Sequence, residues 1–133
     1  ITQLINHIIT RLEIQGGPAT DLLGKPARFY KGLNGSKCAI GHLINSEYYD
    51  ILFEGYRIDE PDDHREHSLE RRTKLRDSIQ KSFSEYTFTD RDWEFLGRIQ
   101  RLHDNGNYRV NFVEYFTKAA FKELGEYLEE IIV

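Results

Sequence analysis

Ala27-Arg28-Phe29-Tyr30-Lys31-Gly32-Leu33-Asn34-Gly35-Ser36-Lys37-Cys38-Ala39-Ile40 is the stretch on which the fold class turns. Its first five residues have aromatic strand character. Gly32-Leu33-Asn34-Gly35 reads as a turn, because Asn-Gly supplies the positive φ angles that tight hairpins need. Ser36 to Ile40 then reads as the return strand, or as the start of a helix. Taken as two strands, the stretch predicts a small β-hairpin near residues 27–40.

The sequence on either side has a helical period. Upstream, Ile1, Leu4, Ile5, Ile8 and Leu12 recur at three- and four-residue steps and predict a helix over 1–15, ended by Gly16-Gly17-Pro18. Downstream, Asn45 or Ser46 caps a short helical turn over 46–53, and Gly55 stops it. From Ser68 the pattern is helical again, with Leu69, Leu75, Ile79 and Phe83 facing inward. Thr89 or Asp90 caps a helix of about 90–105, whose inner stripe is Trp93, Leu96, Ile99 and His103 and which Gly106 closes. Residues 109–132 make the longest helix, with Val113, Phe116, Ala120, Leu124, Leu128 and Ile131 on its apolar face. Gly125 lies inside it at a cost of about 1 kcal/mol relative to alanine, which marks a close packing contact or a bend. The expectation is a helix-rich α+β fold, a single globular domain over 1–133 with the hairpin packed on four or five helices.

Composition sets the outer limits. A chain of 133 residues, 39% hydrophobic and 13% aromatic, has the means to bury a core and is not a disordered segment. No apolar run approaches the roughly 18 residues of a membrane span. The net charge of −4 argues against general nucleic-acid binding. One cysteine excludes an internal disulfide and a four-cysteine zinc site, and suits a reducing, cytoplasmic setting. The first residues lack the basic start and small-residue cleavage site of a secretory signal. The chain contains no methionine, which leaves room for native residues ahead of Ile1. Residues 59–77 stand apart: twelve of the nineteen are charged, acids first and then bases. They read as a solvated loop and helix face, or as an inserted docking surface.

Two constellations carry possible chemistry. Lys37-Cys38-Ala39-Ile40-Gly41-His42 follows the turn where a strand gives way to a helix, and a thiol at a helix N-terminus favours thiolate. With His103 and Asp104, Cys38 makes a candidate nucleophile, base and acid. The alternative is that Cys38 is a small buried hydrophobe and that His103, on the stripe of Trp93, Leu96 and Ile99, is a satisfied core group. Cys38 and His42, four apart, also raise a zinc reading with His103 or Asp104, but their spacing fits no established zinc motif, and His64 and His67 in the acidic stretch bind metal only weakly. No metal and no cofactor is therefore expected.

The second constellation is Arg28, Tyr30, Lys37 and Arg57, joined by His103. Residues 1–58 hold six bases against five acids, so the hairpin region is the least acidic part of an acidic chain. Arginine and tyrosine there suit an anionic ligand such as a nucleotide, by charge and stacking. The same residue types also occur on ordinary solvated strands.

The segment from the first helix to Gly55 resembles a set of small, mostly uncharacterised proteins from bacteriophages and bacteria. The shared features are Gly16, Phe29-Tyr30, Asn34-Gly35, Cys38-Ala39-Ile40-Gly41, Leu43-Ile44, Tyr48 or Tyr49, and Glu54-Gly55. A second block is similar to their Leu-x-x-Ile/Leu-Gln-x-x-His-Asp pattern, at Leu96, Ile99-Gln100 and His103-Asp104. Two departures are His42, where many of those proteins have a second cysteine, and a longer charged stretch at 59–86. The resemblance implies a phage-type accessory protein in which Cys38 and His103-Asp104 share one local structure. The leading expectation is stoichiometric binding, of a host (defence) component or of an anionic small molecule, with oligomer formation open. A cysteine-dependent hydrolase or transferase built on Cys38, His103 and Asp104 is the alternative.

Overall fold

A computed structural model describes residues 1–21, 23–32, 34–61 and 66–132. Four α-helices follow one another in the chain: α1 Thr2–Gln15, α2 Ser68–Ser82, α3 Asp90–Gly106 and α4 Phe112–Ile132. Three single 3₁₀ turns, Ile40–Leu43, Ser46–Tyr48 and Ile51–Phe53, lie between α1 and α2. No helix among the described residues is long and apolar enough to cross a membrane.

The fold is all-α among the described residues, and the hairpin expected near 27–40 is not a strand pair. Its turn exists: Gly35 takes a φ of 85°, and its N–H bonds the carbonyl of Gly32 at 2.9 Å. Cys38 N–H also reaches across to Phe29 O at 3.0 Å. The ladder fails because side chains from elsewhere take its backbone groups. The Glu54 carboxylate accepts the N–H groups of Tyr30 and Lys31 at 2.9 and 3.1 Å. The Gln15 carboxamide pairs with both backbone groups of Lys37, each at 2.9 Å. The return arm then buries four successive residues, Cys38 to Gly41, instead of alternating in and out. At Gly41 the arms touch so closely that a Cβ would run into the Tyr30 carbonyl.

The helices follow from their apolar periods. α1 buries Leu4, Ile5, Ile8, Ile9 and Leu12, and stops at Gly16, whose N–H bonds Leu12 O. Thr89 and Asp92 start α3 with a reciprocal capping box. α3 buries Trp93, Leu96, Ile99 and His103 as the stripe required. α4 lies against both α1 and α3, and α2 covers the 3₁₀ turns at 46–53. One apolar core joins all four helices with the Cys38–Ile44 segment.

Three finer expectations change. Leu69 and Ile131, expected inside, are about half exposed, at 51% and 50%. Gly125 is exposed and a Cβ there would meet nothing, so it marks no close contact. The charged stretch is not all solvated: Glu60 is 2% exposed, and Arg72 and Arg76 donate to the carbonyls of Glu60 and Ile58. Residues 62–65 of that stretch, His64 included, lie outside the described residues.

Candidate functional site

Cys38, His103 and Asp104 are brought into one neighbourhood, as Asp104 lies near enough for its charge to act on the thiol. They do not form a reactive unit. Cys38 is 1% exposed, and its Sγ accepts the Gly41 N–H at 3.3 Å. Burial first, and then the Asp104 carboxylate, push its thiol well above the ordinary range, opposite to what a nucleophile needs. His103 is fully buried, and both ring nitrogens are occupied. Nε2 accepts the Ala19 N–H at 3.3 Å, so Nδ1 carries the proton and donates to Asp104 Oδ1 at 3.0 Å. No hydrogen bond joins the ring to the thiol among the described residues. An imidazole held in this way pins α3 to the Ala19 backbone and has no lone pair to spare as a base.

A metal finds no better footing, since no group of three or more His, Cys, Asp or Glu gathers among the described residues. His67 is exposed and sits between Glu66 and Glu70 at 3.3 Å from each.

The residues expected to bind an anion disperse. Tyr30 is buried; its hydroxyl donates to the Tyr56 carbonyl and accepts from Gln100 Nε2 at 2.6 Å, and burial raises its pKa well above the ordinary phenol value. Arg57 is spent on Asp59, with Nε to Oδ1 at 3.0 Å, while Arg101 holds the other carboxylate oxygen at 2.8 Å. Burial alone would raise the Asp59 pKa, but the two guanidiniums outweigh it and hold the carboxyl below its usual value. The pair is seated on α3 at Gly97, where a Cβ would strike the Asp59 side chain. Arg28 is exposed, and His103 is in the core. Lys37 alone opens onto a cavity.

That cavity, of about 580 Å³, lies between α1 and the 34–46 segment. His7, Arg11 and Gln15 come from successive turns of α1, four residues apart, so they share a face. Asn34, Ser36, Lys37, His42, Asn45 and Ser46 come from the opposite wall. A network of Thr20, Asn34 and Ser36 side chains fixes that wall; Asn34 Nδ2 donates to Thr20 Oγ1, and Ser36 Oγ donates to Asn34 Oδ1 at 2.7 Å. His7 Nε2 donates to the His42 carbonyl at 3.0 Å, tying the walls together. Among the described residues the lining holds two cations, two imidazoles, amides, hydroxyls and the side chains of Ile14 and Ile44, and no carboxylate.

The electrostatics agree with the lining. Lys37 is half-buried, and its pKa is lowered by burial and by the charges of Lys31 and Arg11. His42 is lowered to about 4, by burial first and then by Lys37, His7, Arg11 and His103. Its Nε2 is buried with no hydrogen-bond partner among the described residues. Burial leads both shifts, and the neighbouring positive charges add to it in the same direction. A larger hollow of about 830 Å³ between α3 and α4 differs, because Glu94, Glu126, Glu129 and Glu130 line it together with Arg91 and Arg98.

Of this site, sequence reading found Lys37 and weighed His42 only as a metal ligand; it missed His7, Arg11 and Gln15. Their four-residue spacing was the available signal. No protein-family model, no curated protein and no solved structure matches this chain.

Proposed function

We propose that this protein is a stoichiometric binder of an anionic small ligand, held in the cavity between α1 and the 34–46 segment. The observation that carries the reading is a lining with two cations and, among the described residues, no carboxylate, in a chain whose net charge is −4. Lys37 is half-buried, so an incoming anion offsets its desolvation, and the exposed Arg11 facing the same cavity adds a second charge-assisted contact. Two charge-assisted hydrogen bonds at about 1.5–3 kcal/mol each support a free energy near −4 kcal/mol, roughly millimolar affinity for a bare anion. The lining offers cations and hydrogen-bond donors but no activated nucleophile, which suits capture rather than turnover. The phage-type accessory role implied by the resemblance, withholding a ligand from a host component, is the setting we propose for it.

The test is calorimetric titration of the protein with inorganic phosphate at low ionic strength, alongside the Arg11→Gln and Lys37→Gln variants. Millimolar binding by the parent, lost in both variants, supports the reading. Equal heats in parent and variants sink it.

A further inference from the structure

We propose that the ligand is a mononucleotide, an aromatic base and a phosphate dianion on one sugar, lying along α1 across His7. This rests on the anion-binding reading above and names its substrate class. A second cavity of about 470 Å³ adjoins the first, and His7 lines both. The His7 ring stands between them, with Gln3 and Leu4 on one side and Arg11 and Gln15 on the other. Eight residues of helix at about 1.5 Å each give roughly 12 Å, room for a base, a sugar and a phosphate in line.

The halves differ in chemistry. The second is bounded by Leu4, Phe83 and Tyr86, all packed on the core, and has no lysine or arginine among its described lining residues. Phe83 meets the His7 ring edge-on at 5.5 Å, so His7 is fixed both by that contact and by its bond to the His42 carbonyl. An aromatic base suits a lining that holds Phe83, Tyr86 and the His7 ring, and a bare anion would leave this half unfilled. Glu85 on its rim repels phosphate and so sets the direction: base beside Phe83 and Tyr86, phosphate beside Arg11 and Lys37. Charge selects the phosphate count. Two fixed cations match the charge of about −1.5 to −2 on a phosphate monoester, not the larger charge of a triphosphate.

The experiment is calorimetric titration of the whole chain with inorganic phosphate, ribose 5-phosphate, adenosine and adenosine 5′-monophosphate. The monophosphate nucleotide should bind at least tenfold tighter than either phosphate lacking a base, and adenosine should bind far more weakly than the nucleotide. Ser84→Trp, at an exposed position on the rim of the second half, should remove the tenfold gain and leave phosphate binding unchanged. Tyr86→Leu should act in the same direction. Equal affinity for phosphate and nucleotide overturns the mononucleotide assignment while the anion reading stands. Absence of binding by every phosphate overturns both. Tighter binding of a 5′-phosphorylated dinucleotide than of the mononucleotide also overturns the assignment, in favour of an oligonucleotide end.

Discussion

Glu54 decides how the 27–40 segment is held, and replacing it by alanine measures that role. Its carboxylate accepts three hydrogen bonds: from Tyr30 N–H at 2.9 Å, Lys31 N–H at 3.1 Å and Tyr49 O–H at 2.6 Å. Tyr30 is 2% exposed, so its N–H would be stranded, which costs about 1–3 kcal/mol. Lys31 is exposed and its N–H rehydrates at little cost. The half-buried Tyr49 hydroxyl loses about 1 kcal/mol more. Glu54→Ala should therefore destabilise by about 3 kcal/mol. With a urea slope of about 1–3 kcal/mol per molar, the unfolding midpoint should fall by roughly 1–3 M. Tyr49→Phe removes only one arm and should cost about 1 kcal/mol. Equilibrium urea unfolding followed by far-ultraviolet circular dichroism reads both. If the segment were a self-sufficient hairpin, its own ladder would satisfy Tyr30 and Lys31, and Glu54→Ala would be almost neutral. A loss below about 1 kcal/mol refutes the claim that Glu54 substitutes for a strand partner.

Other perturbations probe the rest of the fold. Gly125→Ala, at an exposed position inside α4 where a Cβ meets nothing, should stabilise by about 0.5–1 kcal/mol in the same assay. Gly97→Ala should destabilise by about 1–3 kcal/mol, because the methyl group displaces Asp59 from its clamp of Arg57 and Arg101. Cys38 should resist iodoacetamide at pH 8 in the folded protein and react at once in urea, since its thiol is buried and raised; rapid labelling of the folded chain would contradict that. His42, lowered from 6.5 to about 4, binds a proton more readily unfolded than folded. Its contribution is complete above pH 6.5 and is lost as pH falls towards 4, so parent and His42→Gln should converge in relative stability on acidification. Urea midpoints at pH 7.5 and 4.5 give the comparison.

What was legible in the sequence was whatever a period encodes. Leu4, Ile5, Ile8 and Leu12 mark α1 because a helix returns each to one side every turn, and Trp93, Leu96, Ile99 and His103 mark α3 for the same reason. The Asn34-Gly35 turn was readable from backbone preference alone. The absent ladder was not, because its competitors are Glu54, 24 residues beyond Tyr30, and Gln15, 22 residues before Lys37. Local β-propensity describes residues 27–31 correctly, yet the hydrogen bonds go to distant side chains. The site followed the same divide. Arg57 looks like an anion ligand until Asp59, two residues on, takes its guanidinium; Tyr30 looks like a stacking group until burial places its hydroxyl between Tyr56 and Gln100. His7, Arg11 and Gln15 were visible as the polar side of an amphipathic helix, but periodicity does not say which part of a polar side another segment will face.

The distribution of cations argues more strongly than any one residue. Among the described residues five bases pair with acids: Arg57 and Arg101 with Asp59, Arg98 with Glu123 at 3.4 Å, Lys74 with Glu70 at 3.5 Å, Lys118 with Glu114 at 3.0 Å, while others such as Lys25, Arg28 and Lys122 stand exposed to water. The exposed pairs contribute little to stability, but a chain with more acids than bases finds them readily. Arg11 and Lys37 differ in facing one cavity that no carboxylate lines among the described residues, and Lys37 there is lowered by burial first and then by the charges of Lys31 and Arg11. Neither cation is needed to build the core, since α1 is anchored by Leu4, Ile5, Ile8 and Leu12 on its other side. The half-buried Lys37 and the exposed Arg11, facing one cavity, gain two charge-assisted contacts when an anion enters, and that difference is a gain in affinity.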